Sequence, residues 1–311
     1  GHSVAELGAI FEAGNANPWA LGGWATLVTV VTMLIVGRGV QEGVEKSVRW
    51  MMPGMVIMLL IMIGYALTSG NFSAGFHFLF DFDVTRLSSE GVLAALGHAF
   101  FTLSLASGAI LTYGSYLPRS ISIPHNAFIV VAADTGVALL AGIAIFTLVF
   151  AHGLAPEAGP GLVFQTLPIV LGELPGGQIF AGVFFLLLIA ATITSCIGNM
   201  EPVVAWTAER FNTTRNKAAA GAGALLWLLG LTTVLSFNIL KDFHPLDAIP
   251  LLADKTIYDN VDYIASNFLF PIGGFLTAIF VGWRVSADVV REELGMTDGV
   301  AFKLYRIILR F

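Results

Sequence analysis

Charge is scarce in this 311-residue chain: Asp, Glu, Lys and Arg together supply 12% of it, against roughly 25% in soluble domains. Cysteine is nearly absent, and Cys196 sits alone in an apolar run, so no disulfide braces the chain. Cys and His do not cluster, which removes the usual motif of a structural metal. No nucleophile–base pair stands out, so no enzymatic activity is expected. The N-terminus, GHSVAEL, has no basic region followed by an apolar run and is not a signal peptide. It reads as a loop continuing from something upstream. The C-terminal AFKLYRIILRF is a basic amphipathic stretch that stops where another span could begin, so the chain reads as an internal piece of a longer protein.

What is present is apolar. Hydrophobic residues make up 56% of the chain and the mean hydropathy is +0.82. No soluble core of this size buries so much apolar surface, so the composition means a polytopic membrane protein. Runs long enough to cross about 30 Å of hydrocarbon lie near 21–37, 50–68, 91–117, 126–152, 177–208, 218–237 and 262–286. Arg38, Lys46, Arg49, Arg119, Arg210, Arg215, Lys217, Arg284, Arg291, Lys303, Arg306 and Arg310 fall in alternate loops or the tail; only Arg86, Lys241 and Lys255 fall on the other side. Twelve of fifteen basic residues on one face puts residue 1 outside and residue 311 in the cytoplasm of a cell membrane. Of the outer loops, 153–176 holds the aromatic GLVFQTLP at 161–168 and reads as a re-entrant or hairpin helix. The loop 238–261, with Asp242, Asp247, Asp254 and Asp259, reads as a solvated acidic face.

Three stretches place polar groups at membrane depth. In 100–116, FFTLSLASGAILTYGSY, the residues Ser104, Ala106, Ser107 and Gly108 interrupt a span. Such a break is tolerated only against protein or a water-filled cavity and often marks a binding site. Its second half would present amides suited to a carboxylate, and its first half carbonyls suited to a cation. The alternative is a glycine kink packed on a neighbour. In ATITSCIGNMEP at 191–202, Ala191, Thr194 and Ser195 lie on one helix face at i, i+3 and i+4, with Asn199 a turn below. Two hydroxyls and a carbonyl make a neutral oxygen surface suited to Na⁺, although Ser and Thr also serve as packing glue between membrane helices. Glu201 lies off that face, either paired structurally or lining the inner pathway. Finally, Asp134 is a lone carboxylate within a span. It costs roughly 2.5–3.5 kcal/mol on insertion scales and is a functional candidate whose partner is a cation or His98.

FFTLSL and TYGSY within 100–116, GLVFQTLP at 161–168, TS at 194–195 and DYIASN at 262–267, in this order and spacing, resemble the sodium:neurotransmitter symporter family. The resemblance covers nearly the whole chain. It implies an all-α polytopic membrane protein with a partial leucine-transporter-like inverted-repeat fold: about seven transmembrane helices, the one at 91–117 discontinuous. Residues 1–20 are then an extracellular loop remnant and 21–68 the last two helices of the first repeat. Residues 91–286 make a complete second five-helix repeat, and 287–311 a cytoplasmic amphipathic tail. The family's first three helices and its last are not in the chain, so the chain by itself should not transport.

The resemblance also implies roles. Ala191, Thr194 and Ser195 match one sodium site. Thr102 matches a ligand of the other sodium, which also touches the substrate carboxylate, and Asp134 stands as a further ligand there. Phe101, Thr102, Ser104, Ser107, Ser195 and Asn199 match the substrate pocket. Asp262 matches the outer gate, and Tyr116 and Glu209 the inner one. Most members have Asn where this chain has Asp134. Animal members bind chloride with a serine at the position of Ala138 and a glutamine at that of His98, and both are missing. Chloride-independent symport of Na⁺ with an amino-acid-like molecule is the expectation, with no organic cofactor and no nucleic-acid partner. Ser107 and Asn199 replace the leucine transporter's Phe and Ile, favouring a polar or larger amino acid. A seven-span retinal receptor would need a Lys within a span, and a channel would need charged rings or repeated pore segments; neither is present. A proton-driven or exchange transporter of the same fold fits less well with the Thr194–Ser195 pair.

Overall fold

The computed structural model describes residues 4–39, 46–81, 83–118, 120–151, 153, 162–172, 177–297 and 299–310. Arg119 and Gly161 lie outside these. The described residues are helical or turn, without a strand: α1 (Val4–Ala16), α2 (Pro18–Arg38), α3 (Lys46–Ser69), α4 (Phe72–Phe80), α5 (Ser89–Thr102), α6 (Ala109–Ser115), α7 (Ile123–Ala151), α8 (Leu167–Gly172), α9 (Gly177–Arg210), α10 (Arg215–Leu235), α11 (Ile257–Ile264), α12 (Phe270–Ile279), α13 (Ala287–Leu294) and α14 (Val300–Arg310). The π turn Ala265–Leu269 joins α11 to α12, and a second, Phe280–Arg284, extends α12, giving one rod over Ile257–Arg284. Among the described residues, five helices are long and apolar enough to cross a membrane by themselves: α2, α7, α9, α10 and the Ile257–Arg284 rod. The pair α3–α4, bent by 115°, makes a sixth if taken as one span, and the seventh apolar run is the interrupted pair α5–α6, neither half of which spans alone. Their outward faces carry Leu, Ile, Phe and Trp in quantity, a surface that requires hydrocarbon around it.

The chain forms two compact units. The first holds residues 1–83 and 137–258. In it α2, α9 and α10 close on Val36, Ile197, Met200, Val204, Ala218, Ala219 and Ala222. Lipid is as apolar as these side chains, so close packing rather than water exclusion drives such contacts, and small residues permit it. Ala218, Ala219, Ala222 and Gly223 let α2 seat on α10, with Met33 lying over Gly223. The Trp227 indole N–H donates to Thr26 Oγ1 at 2.9 Å. A second cluster packs Met58, Met62 and Ala66 of α3 with Ala144 and Leu148 of α7 and Leu167, Val170 and Leu171 of α8. The sequence reading of a re-entrant helix at 161–168 corresponds to the π turn Leu162–Thr166 running into α8.

Two stretches read as loops are helical. Val4–Ala16 is α1, and Phe72–Phe80 is α4. The bend into α4 is fixed by Asn71, whose Oδ1 accepts the Ala74 N–H at 3.1 Å while its own N–H donates to Thr147 O at 3.1 Å. Gly75 then crosses α7 so closely that a Cβ there would meet Thr147 N at 2.7 Å. The loop 238–256 is wound into turns, with the Asp254 N–H donating to Asp247 Oδ1 at 3.0 Å.

The second unit holds residues 84–136 and 259–311. Ser88 caps α5, its Oγ accepting the Gly91 N–H at 3.0 Å. The α5 helix packs on α12 and on the π turn before it. The π turn at 280–284 leaves carbonyls at the end of the rod that arginines of α14 collect: Arg306 donates to Val285 O and Arg310 Nε to Gly282 O at 2.9 Å.

Candidate binding site

The α5–α6 interruption is a designed stop and restart. The Leu105 N–H donates to Phe100 O at 2.9 Å and the Ser104 N–H to Phe101 O at 3.0 Å, the two bonds of a Schellman C-cap. That motif puts Ser104 in the left-handed region, φ 51°, where glycine is usual. Ala106 at φ 65° and Gly108 at φ 85° follow. A left-handed non-glycine residue costs roughly 1–2 kcal/mol, so Ser104 and Ala106 store strain at this point. Ser107 Oγ donates to Ser104 O at 3.0 Å and accepts the Ala109 N–H at 3.3 Å, bridging the two halves. Ser104 and Ser107 therefore hold the break itself, and the first amide of α6, that of Ala109, is met by Ser107.

Thr102, the last residue of α5, donates its hydroxyl to Asp134 Oδ1 of α7 at 2.9 Å. The two side chains are 32 positions apart in sequence and stand on different helices of one unit. His98 was the other candidate partner; it is exposed and, among the described residues, makes no hydrogen bond to Asp134. The donated proton leaves the Thr102 oxygen's lone pairs available beside a carboxylate, a hard, anionic oxygen pair suited to a monovalent cation. Phe101 is largely exposed, its ring 5.9 Å from that of Phe270.

In the other unit, α9 carries the second polar face. Thr194 Oγ1 donates to Ala191 O at 2.8 Å and Asn199 Nδ2 to Ser195 O at 3.1 Å. Thr194 is half-buried, while Ser195 and Asn199 are exposed. The face is thus a ladder of hydroxyl and carbonyl oxygens without a formal charge. Glu201 resolves toward the structural alternative: it is fully buried and ion-paired with Arg215 at the start of α10. Arg215 Nε also donates to Val36 O at 2.9 Å, so one guanidinium ties α2, α9 and α10 together. A carboxylate with no access to water needs such a partner.

The gate candidates stand at element ends. Asp262 is exposed on α11, just before the π turn at 265–269. Tyr116 follows α6, its ring edge-on to Tyr113 at 6.4 Å. Glu209 is exposed in the last turn of α9, where its carbonyl accepts the Asn212 N–H. The sequence reading missed the Arg215 partner of Glu201, although a basic residue opening the next helix is a readable signal. It also missed the glycines of α12 that meet the break.

An interrupted span with hydroxyls and a carboxylate at the interruption is the arrangement in which secondary transporters build their binding sites. The sodium:neurotransmitter symporter family model matches residues 8–244, and the chain belongs to that family. It is 35% identical over 304 residues, 97% of its length, to an uncharacterized sodium-dependent transporter, YhdH, of Bacillus subtilis, and spans 66% of that protein. It is 27% identical over 237 residues to the sodium-dependent nutrient amino acid transporter 1 of Drosophila willistoni, covering 72% of this chain and 37% of that one. Among solved structures, MhsT in complex with L-phenylalanine superposes with a TM-score of 0.90 at 39% identity, over 98% of this chain and 68% of MhsT. The chain therefore spans two thirds or less of the length of these curated relatives. These relatives are transporters rather than enzymes, and the helical fold is that of MhsT.

Proposed function

We propose that the full-length protein is a sodium-coupled symporter of an amino acid, working by alternating access and independent of chloride. The observation that carries this reading is the Thr102–Asp134 contact at the helix break. A carboxylate placed where a cation and a substrate carboxylate meet supplies the charge that a bound chloride would otherwise supply. In this reading Thr102 and Asp134 ligate one sodium and Ala191, Thr194 and Ser195 the other. Phe101, Thr102, Ser104, Ser107, Ser195 and Asn199 line the substrate pocket, and Asp262, Tyr116 and Glu209 serve the gates. The skew of basic residues puts residue 1 outside and residue 311 in the cytoplasm.

The substrate class is an amino acid larger or more polar than leucine. Ser107 and Asn199 are more polar than the Phe and Ile they replace, and Ser107 is smaller, and both MhsT, solved with L-phenylalanine, and the Drosophila nutrient amino acid transporter are compatible with that class. The test is uptake of a radiolabelled amino-acid panel by the full-length protein in proteoliposomes. Uptake should vanish when K⁺ replaces Na⁺ and persist when gluconate replaces chloride. Uptake that survives K⁺ replacement removes sodium coupling and favours a proton-driven or exchange transporter. Uptake lost with chloride removes the role given to Asp134.

A further inference from the structure

Ala106 is the residue that the break does not hold by itself. Ser104, also left-handed, is fixed by the Schellman bonds and by Ser107 Oγ on its carbonyl. Among the described residues no hydrogen bond reaches Ala106. A non-glycine residue at φ 65° persists only where its surroundings over-determine it. Ala106 is otherwise exposed, and the element that meets it is the backbone of α12. A methyl group at Gly273 would stand 2.8 Å from Ala106 Cβ and 3.6 Å from Ala106 O, whereas carbon atoms in good contact stand roughly 3.5–4.0 Å apart. A methyl at Gly274 would collide with the edge of the Phe100 ring, 2.0 Å from its Cε1. One turn earlier on α5, a methyl at Gly97 would come within 2.5 Å of Ser266 O in the adjoining π turn. The end of α5, the ring preceding Phe101 and the strained Ala106 thus all close on the α11–α12 rod where a glycine removes the side chain.

We propose that Gly273, with Gly274, is a positioning residue: the bare backbone of α12 is the seat that sets the conformation of the break and so holds Thr102 opposite Asp134. The proposal rests on the reading of that pair as the ion site. Of the two glycines, Gly273 is the stricter. Ala106 Cβ is fixed to the main chain, so a methyl at 273 displaces the break itself. The Phe100 ring can turn aside from a methyl at 274.

The test uses the full-length protein and four variants: Gly273→Ala, Gly274→Ala, Ala106→Gly and the double variant Gly273→Ala/Ala106→Gly. Gly273→Ala should raise the half-activating sodium concentration about tenfold or more, equivalent to about 1.4 kcal/mol, and Gly274→Ala should raise it less. Ala106→Gly removes the colliding methyl and takes a positive φ without strain. The double variant should therefore return to within about twofold of Ala106→Gly alone, the ordinary limit of additivity. Should Gly273→Ala fail to fold, the double variant decides: recovery of folded, sodium-activated protein supports the seat, and continued failure overturns it. An unshifted Gly273→Ala, or a shift that Ala106→Gly does not reverse, also overturns it. A wild type with no sodium activation would sink the ion-site reading instead. The suppression pattern then remains readable on the thermal unfolding midpoint, lowered by Gly273→Ala and restored in the double variant.

Discussion

Replacing Asp134 by Asn removes one negative charge from the break and almost nothing else. Asn is isosteric and keeps an oxygen to accept the Thr102 hydroxyl, which now stands 2.9 Å from the carboxylate. The magnitude has two parts. The hydrogen bond loses its ionic character, falling from about 1.5–3 to about 0.5–1.5 kcal/mol. A cation about 4 Å from the carboxylate loses an attraction of about 4 kcal/mol at an effective dielectric constant near 20. Asn also escapes the cost of holding an uncompensated carboxylate in the sodium-free protein, which stabilises the empty site and so adds to the loss of sodium affinity instead of offsetting it. Asp134 is also only half-buried, so water screens part of the attraction. A net loss of about 1.5–3 kcal/mol in sodium binding follows, which is a rise of roughly 10- to 150-fold in the half-activating sodium concentration. The assay is a sodium titration of initial uptake by the full-length protein in proteoliposomes, checked by sodium-dependent thermal stabilisation in detergent. Maximal uptake at saturating sodium should fall far less than apparent sodium affinity. A shift below about threefold (under about 0.7 kcal/mol) would refute the placement of Asp134 at an ion.

Three further outcomes follow from the same geometry. Thr102→Val keeps the shape but removes the hydroxyl that meets Asp134, and should weaken sodium activation roughly 3- to 30-fold, about 0.7–2 kcal/mol; an unchanged titration would exclude Thr102 from the site. Ser195→Ala, on the uncharged α9 face, should lower sodium affinity with little effect on folding, and equal sodium dependence in variant and wild type would remove it from the second site. Glu201→Gln leaves the Arg215 guanidinium against Val36 O without its counter-charge. Breaking a buried pair from one side costs about 3–5 kcal/mol, and the lower end applies because Arg215 is 30% exposed. The expected sign is a lower unfolding midpoint and lower yield, and a variant as stable as wild type would contradict the structural role.

The break at 104–108 was legible because Ser, Ala and Gly crowded in the middle of an apolar span weaken a helix in any context. Its detailed shape was not legible. The Schellman cap depends on where Leu105 and Ser104 find carbonyls, and the seat under Ala106 depends on Gly273, 167 positions away. In sequence, the Gly273–Gly274 pair is an ordinary small-residue step in a membrane helix. The helices α1 and α4 escaped for a different reason. Both are short, and Phe72–Phe80 reads as an aromatic loop until Asn71 and Thr147 turn it across α7. Asp134 was conspicuous as a lone carboxylate, but nothing in its neighbourhood names Thr102. Only the fold brings two residues 32 positions apart into one hydrogen bond. Glu201 could be read two ways until its partner at the head of the next helix settled which one holds.

Sodium coupling itself is tested most directly by accumulation against a gradient. Full-length protein in proteoliposomes should concentrate a radiolabelled amino acid above its external level when an inward sodium gradient is the only driving force, and a sodium ionophore should collapse that accumulation. Accumulation that persists after the sodium gradient is dissipated, or that a proton gradient drives in the absence of sodium, would contradict the account.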